Sequence, residues 1–197
     1  ERHDEALQAA NNGVAAAPTS SFAVWALGAV LDDLGRTRDA ERAARRALEL
    51  DPANADAHAL LARCLIARRK LSEAVAAAEA GLDFDPGHEP CLGLRALALR
   101  WSDAGEEFAE AVDSLLQLYP ASGFARTGLG WAALDRGAAD EAREHFQQAL
   151  ALDPTAGWAR DGLIEATKAS NPLYRNTLRF FLWFGRLRPR TRGGIII

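Results

Sequence analysis

Five prolines constrain this chain more than any other feature. Pro18, Pro52, Pro86, Pro120 and Pro154 follow one another at intervals of 34 residues. Three of them sit in Asp-Pro pairs, Asp51-Pro52, Asp85-Pro86 and Asp153-Pro154; the other two follow Ala17 and Tyr119. A proline has no amide hydrogen and clashes with the preceding turn, so each one stops a helix. It also pushes the residue before it out of the α region. A fixed period of this length belongs to stacked supersecondary units. The equal spacing further implies that nothing is inserted or lost between residues 18 and 154.

The period divides the chain into four units, 21–54, 55–88, 89–122 and 123–156. Each carries small residues at recurring places. In the first, Leu27-Gly28 precedes Gly35, Ala40 and Ala47; in the second, Leu61-Ala62 precedes Ala74 and Gly81. The fourth has Leu129-Gly130, Gly137, Ala142, Phe146 and Ala149. The third departs, with Arg95-Ala96 in the Leu-Gly position and Phe108 where a small residue is usual, which predicts looser or shifted packing there. With its terminal proline, this pattern resembles the tetratricopeptide-repeat (TPR) family, whose unit is helix–turn–helix. Helices of about 12–14 residues are marginal alone in water, so the units depend on stacking against their neighbours. Residues 1–16 match the second helix of an earlier unit, and 157–169 read as a capping helix or half unit. The chain opens at Glu1 and contains no Met, which predicts a piece of a longer protein whose array extends N-terminally.

The resemblance implies an all-α, right-handed α-solenoid that binds a protein or peptide partner along a groove lined by the first helix of each unit. Carried over position by position, the groove residues are Phe22, Trp25, Arg63, Leu97, Arg100, Trp101, Phe124, Thr127, Trp131 and Trp158. Trp and Arg are favoured anchors at interfaces; equally, the tryptophans read as partly buried packing residues. The carboxylate clamp of co-chaperone TPR domains is not implied, because Trp25 and Ala29 stand where its Lys and Asn would be.

Charge separates the C-terminal segment from the rest. No acidic residue follows Glu165, while seven cations do, so a chain of net charge −4 has a basic end on an acidic body. Asn171 and Pro172 suit the N-cap and first turn of a further, amphipathic helix. At about 100° per residue, Arg175, Arg179 and Arg186 share one stripe, and Phe180, Phe181, Trp183 and Phe184 lie among the apolar residues around it. Aromatic and arginine side chains together suit a membrane interface. The stretch from Asn171 to Ile197 also resembles the juxtamembrane segment of bacterial membrane-anchored TPR proteins, which implies a tether at the cytoplasmic face of a membrane. No run of about 20 apolar residues spans a bilayer. The competing reading is a soluble adaptor whose C-terminal helix packs on the array or drives homo-oligomerisation.

No chemistry is written into the sequence. His3, His58, His88 and His145 are scattered outside any metal-ligand spacing, with His58 and His145 read as surface or interface residues. Cys64 and Cys91 form no CxxC and read as buried, reduced thiols, fitting a reducing compartment. Phosphate-binding loops and nucleophile motifs are missing. The expectation is therefore no catalytic residue, no cofactor and no metal. The acidic repeats argue against nucleic acid.

Overall fold

A computed structural model describes residues 2–170; the amphipathic helix expected beyond Asn171 lies outside the described residues. Within them the fold is all-α, with ten helices and no strand. The helices are α1 (Arg2–Ala16), α2 (Ser21–Asp33), α3 (Thr37–Leu50), α4 (Ala55–Ala67), α5 (Leu71–Phe84), α6 (Glu89–Trp101), α7 (Gly105–Leu118), α8 (Gly123–Asp135), α9 (Ala139–Leu152) and α10 (Gly157–Ser170). Starts at Ser21, Ala55, Glu89, Gly123 and Gly157 repeat the proline interval. The chain forms two compact units, Glu1–Pro120 and Ala121–Ile197.

The same local chemistry builds every helix pair. Side chains cap the first helix of each: Ser20, Asn54, His88 and Ser122 accept backbone N–H groups of α2, α4, α6 and α8. These bonds satisfy donors that a helix start leaves without partners. The tight turn to the second helix needs a left-handed residue. Gly35 and Gly137 supply it at φ 71° and 77°, whereas Arg69 and Asp103 are forced into it at 61° and 58°. After the second helix, Asp51, Asp85 and Asp153 fold back so that Oδ1 accepts the amide two residues on, stabilising the proline turn. Tyr119 replaces Asp in the third position, and its hydroxyl donates instead to the carbonyl of Gly87 in the preceding proline turn.

In the first unit, α2 packs on α3, α4 on α5 and α6 on α7, and successive pairs stack through α3–α4 and α5–α6. Small residues make the close seams: Ala40, Ala44 and Ala47 of α3 and Ala74 and Ala78 of α5 are fully buried. The third pair closes in another way, with α6 and α7 meeting less closely than the two helices of the other pairs. Phe108, Val112 and Leu115 of α7 are all buried, filling with bulk the space that alanines occupy in α3. Arg95 keeps its stem against the helices and turns its guanidinium out to Glu79 at 3.0 Å.

The second unit is organised around Phe146 of α9, which is fully buried with Ala133, Ala142 and Ala166. Its ring occupies room vacated by Gly130 of α8 and Gly162 of α10. A Cβ built on Gly130 would come within 2.6 Å of the ring, and one on Gly162 would also collide with it.

Candidate functional site

The first helices of the pairs in the first unit, α2, α4 and α6, carry the residues expected to meet a partner. Phe22 and Trp25 lie three apart on α2 and so share a face. Phe22 is 68% exposed, and its ring leans on that of Trp25 with centroids 5.3 Å apart. Trp25 is half-buried.

Charge fixes the next position. Arg63 of α4 is exposed, and its Nε lies 2.7 Å from Oδ2 of Asp32 on α2. Asp32 is mostly covered, so its carboxylate anchors the guanidinium from beneath and leaves the outer donors facing water. The Sγ of Cys64 donates weakly to the other oxygen of Asp32. Farther along, Arg100 and Trp101 of α6 are half-buried, and the guanidinium of Arg69 stacks 4.6 Å over the Trp101 ring. Neither the Arg63–Asp32 bridge nor the Arg69–Trp101 stack shows in the sequence, because each joins residues some thirty positions apart in neighbouring helix pairs.

In the second unit the expected residues divide between surface and core. Phe124 is half-buried. Trp131 is half-buried too, and meets Phe146 edge-on with centroids 5.4 Å apart. Thr127 is 2% exposed, and its hydroxyl donates to the Gly123 carbonyl one turn back. Trp158 on α10 is 9% exposed. Leu97 in the first unit is 8% exposed. Leu97, Thr127 and Trp158 thus offer a partner almost no surface. This corrects their place in a lining set: they face inward because neighbouring helices cover that part of the first-helix stripe. The tail residues Arg175, Arg179, Phe180, Phe181, Trp183, Phe184 and Arg186 lie outside the described residues.

Cys64 and Cys91 are free and buried, and burial pushes both thiols up to about 12, far from the thiolate a nucleophile needs. Among the described residues, no group of three or more His, Cys, Asp or Glu could hold a metal ion. His58 is buried rather than at the surface; its Nε2 lies 2.9 Å from the Pro52 carbonyl and its ring stacks on Phe84. Among the described residues, no helix is long and apolar enough to cross a membrane.

Known families and structures repeat the same architecture. Two family models described as tetratricopeptide repeat match residues 33–98 and 124–156. No curated protein matches the sequence. Among solved structures, TTC0263, a thermophilic TPR protein of Thermus thermophilus, superposes with a TM-score of 0.70 at 19% identity, over 84% of this chain and 91% of that one. MamA superposes at 0.61 and 22% identity, covering 75% and 86% of the two chains. YrrB, described as a TPR protein with an unusual peptide-binding site, superposes at 0.56 and 14% identity, covering 81% and 82%. At these identities the likeness is one of fold.

Proposed function

Because the chain belongs to the tetratricopeptide-repeat family, we propose that it is a non-catalytic scaffold holding a protein or peptide partner on its first helices, which we take as four repeats with α1 and α10 as flanking halves. The exposed Phe22 ring leaning on half-buried Trp25, with Arg63 on the next pair pinned by Asp32, carries this reading. A ring pair of this kind suits an apolar or proline-containing segment, and the arginine suits a carboxylate or backbone carbonyl beside it. Peptide binding in a protein of similar fold, YrrB, supports the class of partner.

The test is selection of peptides from a displayed library against the full chain, followed by titration of the winners. Phe22→Ala and Arg63→Ala should each weaken binding about tenfold, as interface anchors do, and leave the melting temperature unchanged. Peptides that bind all three of Phe22→Ala, Trp25→Ala and Arg63→Ala as tightly as the parent would place the partner elsewhere.

We further propose that the basic, aromatic tail tethers the scaffold to the cytoplasmic face of a membrane through Arg175, Arg179 and Arg186 with Phe180, Phe181, Trp183 and Phe184. Each cation near an anionic leaflet contributes about 1 kcal/mol. Co-sedimentation with phosphatidylserine vesicles should fall when the three arginines are replaced by glutamate. Equal partitioning of the two forms would remove the tether and favour a soluble adaptor whose tail packs on the array or joins copies.

A further inference from the structure

Helices α3 and α7 hold equivalent places two intervals apart, and their outward positions carry opposite charge. α3 exposes Arg38, Arg42 and Arg45; at the matching positions α7 exposes Glu106, Glu110 and Asp113. α7 contains no cation at all. Between them α5 has Ser72, Ala76 and Glu79 at those positions, and Glu79 is held by Arg95. The outer face therefore changes from basic through nearly neutral to acidic within the first unit.

The basic end is built rather than merely rich in arginine. Asp39 takes Arg36 at 2.6 Å and Arg42 at 2.7 Å. Glu41, 6% exposed, takes Arg45 at 2.9 Å and also Arg68. Asp39 holds its two guanidiniums at the surface and Glu41 from beneath it, while Glu73, 3.9 Å from Arg45, is itself held by Lys70, so each cluster keeps a net positive charge. A guanidinium has five donors, and these contacts use one or two, leaving the rest to face outward. Arg42 is 81% exposed.

We propose that α3 of one molecule docks on α7 of a second copy of this chain, basic ridge against acidic ridge. The occupant follows from charge: the complementary surface, with the same spacing of positions, is on the chain itself. A long polyanion or an anionic bilayer laid on α3 would run onto the acidic neighbours of the same molecule and be repelled. The contact joins two different surfaces, so each docked molecule still offers one unused ridge, and assembly proceeds head to tail into a ring or an open chain.

The experiment is sedimentation velocity of the full chain in about 50 mM and about 500 mM salt, where screening lengths differ several-fold. Concentration-dependent association is expected in low salt, weakened at least tenfold in high salt. Arg38→Glu with Arg42→Glu makes both ridges acidic; Glu106→Arg with Glu110→Arg makes both basic. Each variant alone should sediment as a monomer with unchanged circular dichroism. An equimolar mixture of the two should associate again, since the acidic α3 of one meets the basic α7 of the other, and vice versa. A wild-type monomer in low salt at every concentration reached overturns the proposal, including the case where that monomer binds an oligoglutamate peptide through α3. Association that survives both charge reversals overturns it as well.

Discussion

Replacing Gly130 by alanine probes the packing of the second unit at its tightest point. Gly130 lies inside α8, where a change from glycine to alanine ordinarily gains about 1 kcal/mol of helix stability. Here the new methyl would stand 2.6 Å from the edge of the Phe146 ring and within 3 Å of two more ring atoms. The ring cannot retreat, because Gly162 and Trp131 also bound it. Overpacking of this kind costs about 1–3 kcal/mol. The net effect of Gly130→Ala is thus a loss of about 0–2 kcal/mol in place of the usual gain. Phe146→Ala removes the obstacle at its own cost of about 3–5 kcal/mol. In that background Gly130→Ala should stabilise by about 1 kcal/mol, its helix propensity alone. The two substitutions should therefore couple by about 1–3 kcal/mol. The measurement is a double-mutant cycle by urea unfolding of the full chain, with a stabilising osmolyte keeping the weakest variant folded at the start of the curve. If Gly130→Ala stabilises the parent and Phe146→Ala backgrounds equally, the ring does not depend on that glycine and the packing argument fails.

Other positions yield further expectations. Asp103→Gly should raise stability by about 0.5–1 kcal/mol by relieving a left-handed residue. Arg69→Gly should change it little, because the same relief is offset by loss of the Trp101 stack; thermal unfolding reads both. Glu41→Gln should destabilise by about 1–2 kcal/mol at neutral pH, a figure reduced because Arg45 and Arg68 are partly solvated. Burial alone would raise the Glu41 pKa, but the hydrogen bonds and charges of Arg68 and Arg45 outweigh it and hold the group below its ordinary 4.5. That contribution is fully present above 4.5 and is lost as pH falls through the lowered value, so the parent and Glu41→Gln should converge in stability in acid denaturation curves. Cys64 and Cys91 should resist a disulfide reagent at pH 8 in the native protein and react fully in denaturant; rapid native labelling would contradict their burial.

Much of this molecule was legible along the chain because its fold is set by local, repeating rules. Proline spacing and small residues are periodic signals, and helix ends follow them closely: the structural starts recur at Ser21, Ala55, Glu89, Gly123 and Gly157. The candidate surface was only partly legible. Periodicity names the stripe that faces a neighbour or a groove, but it does not say how far the neighbour reaches over it. Phe22 stays open at 68% exposure while Trp158, also near a helix start, is covered to 9%. The departure of the third repeat was legible from Phe108, but not what fills its wider seam, since that depends on the residues opposite it.

The sequence by itself therefore determined the class of fold, the length of each helix and the places where helices stop, because backbone sterics and capping act within a few residues. Only tertiary structure decided that Phe146 occupies the space of two glycines, that Asp32 pins Arg63, that Tyr119 reaches back to Gly87, and that Leu97, Thr127 and Trp158 turn inward. Each of those outcomes depends on the distance between helices, and that distance is set by side chains far apart in the chain.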